Sequence, residues 1–207
     1  MPTWTYQPNE TDGIDTYLDN TIPTTNLSTS VGLFGGRYSP SDQYCTFLLK
    51  PDFAKGTNPP PSRAVFSSVV LTLYHVHNYA TVSSTLYVYR CLRNWVESQA
   101  TWNVYSTGNS WGTGGARNST TDYYATALGS VAQSASEANG YKDITINVEE
   151  FQKMFNGIYD NYGFVLLLTS ADDTLHEYAS SSHATAAYRP KLTAAYASLS
   201  NTRIIIF

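Results

Sequence analysis

Long apolar stretches are missing from this chain, and so are clusters of basic residues. The longest apolar runs, around Phe164–Leu168 and Ile204–Phe207, fall far below the roughly 20 residues that cross a bilayer as a helix. No run of Lys/Arg appears, and the net charge is −4. The release of counterions that drives nucleic-acid binding therefore has no source, and an anionic membrane surface is disfavoured on the same grounds. The opening Met1-Pro2-Thr3-Trp4 has neither a basic stretch nor an apolar one, so no secretory signal is visible. Charged residues make up only 14% of the chain. With apolar residues at 42%, that scarcity still describes a globular protein and not a disordered one.

Catalytic signatures are equally absent. There is no phosphate loop, no dinucleotide-binding glycine pattern and no Gly-x-Ser-x-Gly elbow. Glu97, Glu149, Glu150 and Glu177 offer carboxylates, but nothing in their spacing sets two of them across a bond. The expectation is a protein that binds or builds, not an enzyme. Only two cysteines occur, Cys45 and Cys91, both in apolar, strand-like surroundings where a buried free thiol is ordinary. A pairing across the fold would need a geometry that sequence does not supply.

What the chain has in excess is tyrosine, 17 in 207 residues. Tyrosine favours strands and joins an apolar ring to a polar tip, which suits half-buried sheet faces. Strand patterns dominate. Phe66–His77 places Val69, Leu71 and Leu73 on one face, with Thr72 and Tyr74 on the other. Gln43–Leu49, Thr85–Arg90 and Lys142–Ile146 repeat the alternation. Gly163–Leu168 is apolar throughout, as in a central strand covered on both sides. One helix is expected over Val148–Asn156, with Asn147 as its N-cap, Glu150 completing a capping box and Gly157 ending it. The fold class is all-β: a jelly-roll sandwich of two antiparallel sheets with one short helix. A single domain is expected over 1–196, with 197–207 as a tail or edge strand.

The order of motifs resembles the DNRLRE or disaggregatase-related modules, jelly rolls grouped with carbohydrate-binding module family 96. The likeness rests on Asp15-Thr16-Tyr17-Leu18, Pro23-Thr24-Thr25-Asn26, the strand Phe66–Val76, Tyr89-Arg90 and Trp95-x-Glu97-x-x-x-Thr101-Trp102-Asn103. It continues through Asp143-Ile144-Thr145, Asn161-Tyr162-Gly163-Phe164, Ser180–Ser182 and Arg189-Pro190-x-Leu192 with Tyr196. The chain departs from the family at Asn26-Leu27-Ser28, and it lacks a basic residue over Gln43–Leu49. The resemblance implies a non-catalytic binding module, of the sort found on secreted polysaccharide-acting proteins, with no ligand specified.

Three groups of residues are weighed as sites. Trp111, in a Gly-rich loop, could form an aromatic glycan platform with Tyr105, Arg117, Tyr123 and Tyr124; the bland alternative is that the loop packs onto the sandwich. Trp95 and Trp102 read as core or corner residues, with Glu97 tying down backbone donors. His75-x-His77 would share one strand face, with His176 and His183 as further imidazoles, but structural histidines are the default. Asp12, Asp15 and Asp19, or Asp172-Asp173, lack a diagnostic calcium pattern and read as solvated turn acids, so no cofactor is expected. The apolar end Arg203-Ile204-Ile205-Ile206-Phe207 would need burial against a partner or within the sheet. With no export signal in view, these features lead to an expected virion protein of a bacterial virus, a capsid decoration or fibre module contacting other virion or surface proteins. The alternative is an extracellular carbohydrate-binding module.

Overall fold

The alternating patterns assemble into thirteen strands and one helix in a computed structural model, which describes residues 1–168 and 172–198. In chain order they are β1 (Thr3–Tyr6), β2 (Asp15–Asp19), β3 (Gly32–Tyr38), β4 (Gln43–Leu49) and β5 (Ala64–Asn78). Next come β6 (Ser84–Arg90), β7 (Val104–Ser106), β8 (Asn109–Ser110), β9 (Gly129–Gln133) and β10 (Gly140–Thr145). The helix α1 (Val148–Phe155) precedes β11 (Phe164–Leu168), β12 (His176–Ala179) and β13 (Lys191–Ser198). Strand β13 therefore takes in Ala197 and Ser198, the start of the span expected as a tail or edge strand.

The 15-residue β5 organises one layer. It pairs with β13, β10 and β12, and β1 extends β13. The other layer is β4, β11, β6 and β9, with β2 also on β4. Strand β3 pairs with β12 and with β4, so the layers are one curled antiparallel sheet. A small hairpin, β7–β8, stands apart. This is the expected all-β, jelly-roll-like architecture.

Two cores result. Between the layers lie Trp4, Phe47, Leu73, Ile144, Phe151 and Phe164. The second lies on the opposite face of β4 and β11, where Leu18, Leu48, Val165 and Leu167 meet Trp95 and Trp111 from the 91–124 loop. That loop is why β11 is buried at all five residues, as its unbroken apolar run requires. Cys45 and Cys91 are free and buried, and desolvation raises both thiols well above their ordinary range.

The helix starts at its expected cap, with the Glu150 N–H donating to Asn147 Oδ1 at 3.0 Å. The return half of the capping box does not form. Asn147 N–H is already committed to Leu128 O at 2.7 Å, and the Glu150 carboxylate accepts from Lys153 Nζ instead. From α1, Gln152 reaches the uncovered N-terminal edge of β5: Phe66 N–H donates to its Oε1 at 2.9 Å, and its Nε2 donates to Ala64 O at 3.0 Å. The side-chain amide stands in for a neighbouring strand and blunts an exposed edge. Gln152→Ala is expected to cost about 1–2 kcal/mol and to raise exchange at the Phe66 amide. Urea denaturation with hydrogen exchange would check both.

Candidate functional site

The 91–124 loop gathers the residues weighed as a platform, but folds most of them inward. Trp111 is only 5% exposed, and its Nε1–H donates to Thr101 O at 2.9 Å. The expectation of an indole held out to solvent is thereby corrected. In a loop poor in charge, an indole gains more by covering the apolar face of β11 than by facing water. Tyr105 packs on Trp111 with ring centres 5.5 Å apart, and Tyr123 packs on Tyr89 at 4.6 Å. Arg117 lies over the Tyr44 ring, where burial lowers its pKa. Tyr124 alone of the five is well exposed, and it covers Arg90, not a shared platform. Gly115 is in the left-handed region at φ 75°, and a Cβ there would overlap the Trp102 ring, so the turn that seats Trp102 requires glycine.

The tryptophan motif carries structural bonds. Trp95 Nε1–H donates to Tyr162 O at 2.8 Å, and Glu97 Oε1 accepts from Asp15 N–H at 2.9 Å. Asn26 Nδ2 donates to the carbonyls of Glu97 and Ala100. Asp15 is buried, not solvated as expected for a turn acid. Its Oδ2 accepts from Ser181 N–H at 2.7 Å, its Oδ1 has no partner among the described residues, and desolvation pushes its pKa up to about 7. Asp19 is buried too, accepting from the Thr21 N–H and Gln43 Nε2. Asp12 and Asp172 pair with Lys55 and Arg37, while Asp173 accepts from Ser39 N–H. Among the described residues no three His, Cys, Asp or Glu groups converge as metal ligands.

His75 and His77 do not share a face. A bulge in the β12–β5 pairing sets His77 opposite Glu177 and His75 opposite Tyr178, which sends His77 outward and His75 into the core. His75 meets His176 instead, Nε2 to Nδ1 at 3.0 Å. The tautomers follow from Ala138 O, an acceptor only, 3.1 Å from His75 Nδ1. His75 Nδ1 carries the proton and donates to Ala138, His75 Nε2 accepts from His176 Nδ1–H, and His176 Nε2 is a bare acceptor. Buried and without a partner among the described residues, that nitrogen joins Tyr178 Oη and the Gln133 amide as unsatisfied polar atoms. Desolvation lowers both imidazoles, His176 to about 4. His183 stands apart, against Tyr188.

The strongest surface arrangement lies on the outer face of β10, β5 and β13, which sequence reasoning did not single out. Tyr141 is 54% exposed, yet its ring is fixed. It stands edge-on to Tyr74 at 5.0 Å, and its Oη donates to Ala187 O at 3.2 Å. Tyr74 in turn stacks flat on Tyr188, with centres 3.7 Å apart. Beside Tyr141 a shallow hollow is lined by Val70, Thr72, Asp143, Lys191 and Thr193. Thr72 Oγ1 donates to Asp143 Oδ1 at 2.6 Å and aims that carboxylate. A signal existed: Tyr74, Tyr141 and Asp143 occupy outward positions of alternating strands. What sequence lacked was the Tyr141↔Tyr74 and Asp143↔Thr72 register that makes them neighbours.

No protein-family model matches the chain, and no curated protein matches it either. The site must therefore be read from its own chemistry. An exposed, immobilised ring flanked by a carboxylate and an ammonium suits a ligand that is apolar on one face and hydroxylated at its edges. The apolar end at 203–207 lies outside the described residues.

Proposed function

We propose that this chain is a non-catalytic binding module that takes a glycan on the outer face of β10, β5 and β13. The reading is carried by one observation: Tyr141 offers an exposed ring already locked by Tyr74 and Ala187, beside Asp143 and Lys191. A pyranose ring has a C–H face that packs on such a surface, while its hydroxyls bond to carboxylate, ammonium and threonine. Because Tyr141 is held before the ligand arrives, little side-chain entropy is lost on binding. The resemblance to carbohydrate-binding modules is in keeping with a glycan ligand, and the exposure of Tyr141 against the burial of Trp111 supports this tyrosine face over the 91–124 loop.

Tyr141→Ala is expected to weaken binding to an immobilised polysaccharide by about tenfold or more, a loss of roughly 1.4 kcal/mol or greater. Stability should fall by no more than about 1 kcal/mol, because the ring is half in solvent and its one hydrogen bond is exposed. A broad glycan array and calorimetry on the best hit would test this. Absence of any hit, or equal affinity in the variant, would overturn the reading. We further propose a virion carrier for the module, attached through 203–207. Particles assembled with a chain lacking 201–207 should then lose it, and full incorporation of the shortened chain would contradict that attachment.

A further inference from the structure

Arg90 ends β6 in the inward register of Leu86 and Val88, and only 9% of it is exposed. A cation so deeply placed normally has a carboxylate beside it, since a buried unpaired charge is costly. Among the described residues none lies within ion-pair distance. The guanidinium instead lies over two rings, 4.1 Å from the centre of Tyr159 and 5.1 Å from that of Tyr124. Ring faces offset part of the desolvation, but they accept no hydrogen bond in the guanidinium plane. Its Nε–H is buried without an acceptor among the described residues.

This group forms one wall of a surface hollow of about 240 Å³, completed by Leu92, Ile158, Tyr159, Asp160 and Tyr162. That size falls a little below the roughly 300–1,000 Å³ of drug-sized ligand sites and suits a smaller ligand. Ile158 at the lip is 67% exposed and Leu92 adds a second apolar wall. The lining's one carboxylate, Asp160, is engaged by Tyr162 Oη at 3.0 Å. Nearby Lys153 lies over Tyr159 but is matched by Glu149 and Glu150. The site thus has one planar, unmatched cation, apolar walls, and a carboxylate at its rim that would repel a doubly charged anion.

We propose that this hollow binds a small monoanionic carboxylate with an apolar body. The two terminal amines of Arg90 present a planar fork that matches the two oxygens of a carboxylate. Leu92, Ile158 and Tyr159 cover the ligand's apolar part, and Asp160 repels a doubly charged sulfate about twice as strongly as a monoanion. The site is separate from the tyrosine face and does not depend on the glycan reading.

Sodium benzoate titrated into the full chain, followed by the Arg90 side-chain Nε–H resonance in ¹⁵N-labelled protein, tests this directly. A saturable shift is expected with benzoate, and none with benzamide or with sodium chloride at equal concentration. Arg90→Lys should weaken benzoate at least tenfold, because an ammonium keeps the charge but loses the fork. Ile158→Asp, at an exposed position that leaves the core untouched, should weaken binding at least tenfold by removing apolar cover and adding a second carboxylate at the mouth. Tyr141→Ala should leave benzoate binding unchanged whatever its effect on glycans. No shift with benzoate, an equal response to benzamide or chloride, or full binding by Ile158→Asp would each overturn the proposal.

Discussion

Asp122→Ala is expected to destabilise the protein by about 3–5 kcal/mol and to expose Trp111. Asp122 is fully buried under the 91–124 loop. Its Oδ1 accepts from Gly112 N–H at 2.7 Å, and its Oδ2 accepts from Thr113 and Asn118 N–H at 3.0 and 3.1 Å. Arg93 Nε stands 3.5 Å away and balances the charge. One side chain therefore closes the turn on either side of the segment that carries Trp111 to Asn118. Truncation strands three backbone donors and leaves Arg93 without its counter-ion. Asp122→Asn should give an intermediate loss, because its amide turns a donor towards one of those N–H groups. Urea denaturation with tryptophan emission checks this: a red-shifted native spectrum should accompany the lost stability. An unshifted spectrum with near-wild-type stability would mean that the loop holds its place without Asp122.

The second large effect is a pH dependence hidden by compensation. Asp15 has its pKa raised to about 7 in the folded chain, against roughly 3.9 when unfolded. The folded state therefore holds the extra proton between those values, and Asp15 makes the protein less stable as pH rises from about 4 to 7. His176 behaves oppositely. Its folded pKa is lowered to about 4 from an unfolded value near 6.5, so stability present above pH 6.5 is lost as pH falls towards 4. In the wild type the two slopes offset one another across the same window. Asp15→Asn copies the neutral carboxyl and keeps an acceptor for Ser181 N–H. It is expected to stabilise by an amount on the order of 2–4 kcal/mol above pH 7 and by little near pH 4. The variant's stability should thus climb steeply between pH 4 and 6.5, where the wild type is nearly flat. His176→Phe should do the reverse and leave a chain that weakens as pH rises. Denaturation midpoints at pH 4.5, 6 and 8 for the three proteins would decide; parallel profiles would mean that neither group is perturbed by its burial.

Much of the architecture was legible because it depends on local pattern. The two-residue alternation in β5 sets Leu71 and Leu73 inward and Thr72 and Tyr74 outward, and a cap and apolar stripe define α1. The unbroken apolar run of β11 correctly implied cover on both sides, although the cover came from a loop no periodicity describes. The candidate sites were less legible because they depend on register and neighbours. His75 and His77 lie two apart, yet one bulge at Val76 separates them, and it is β12 that delivers His176 to His75. Tyr74, Tyr141 and Tyr188 come from three distant segments that only the β10–β5 pairing and the 183–188 turn unite. Trp111 misled for a physical reason: glycine around an indole gives the chain freedom to bury it as readily as to present it.

The most direct test of a glycan-binding tyrosine face is to map where an oligosaccharide lands. Cello-, xylo- and manno-oligosaccharides titrated into ¹⁵N-labelled protein should move the amides of Tyr74, Tyr141, Asp143, Tyr188 and Lys191 for at least one of them, and leave Tyr105 and Trp111 still. Shifts confined to the 91–124 loop, or no shift with any of the three, would contradict it.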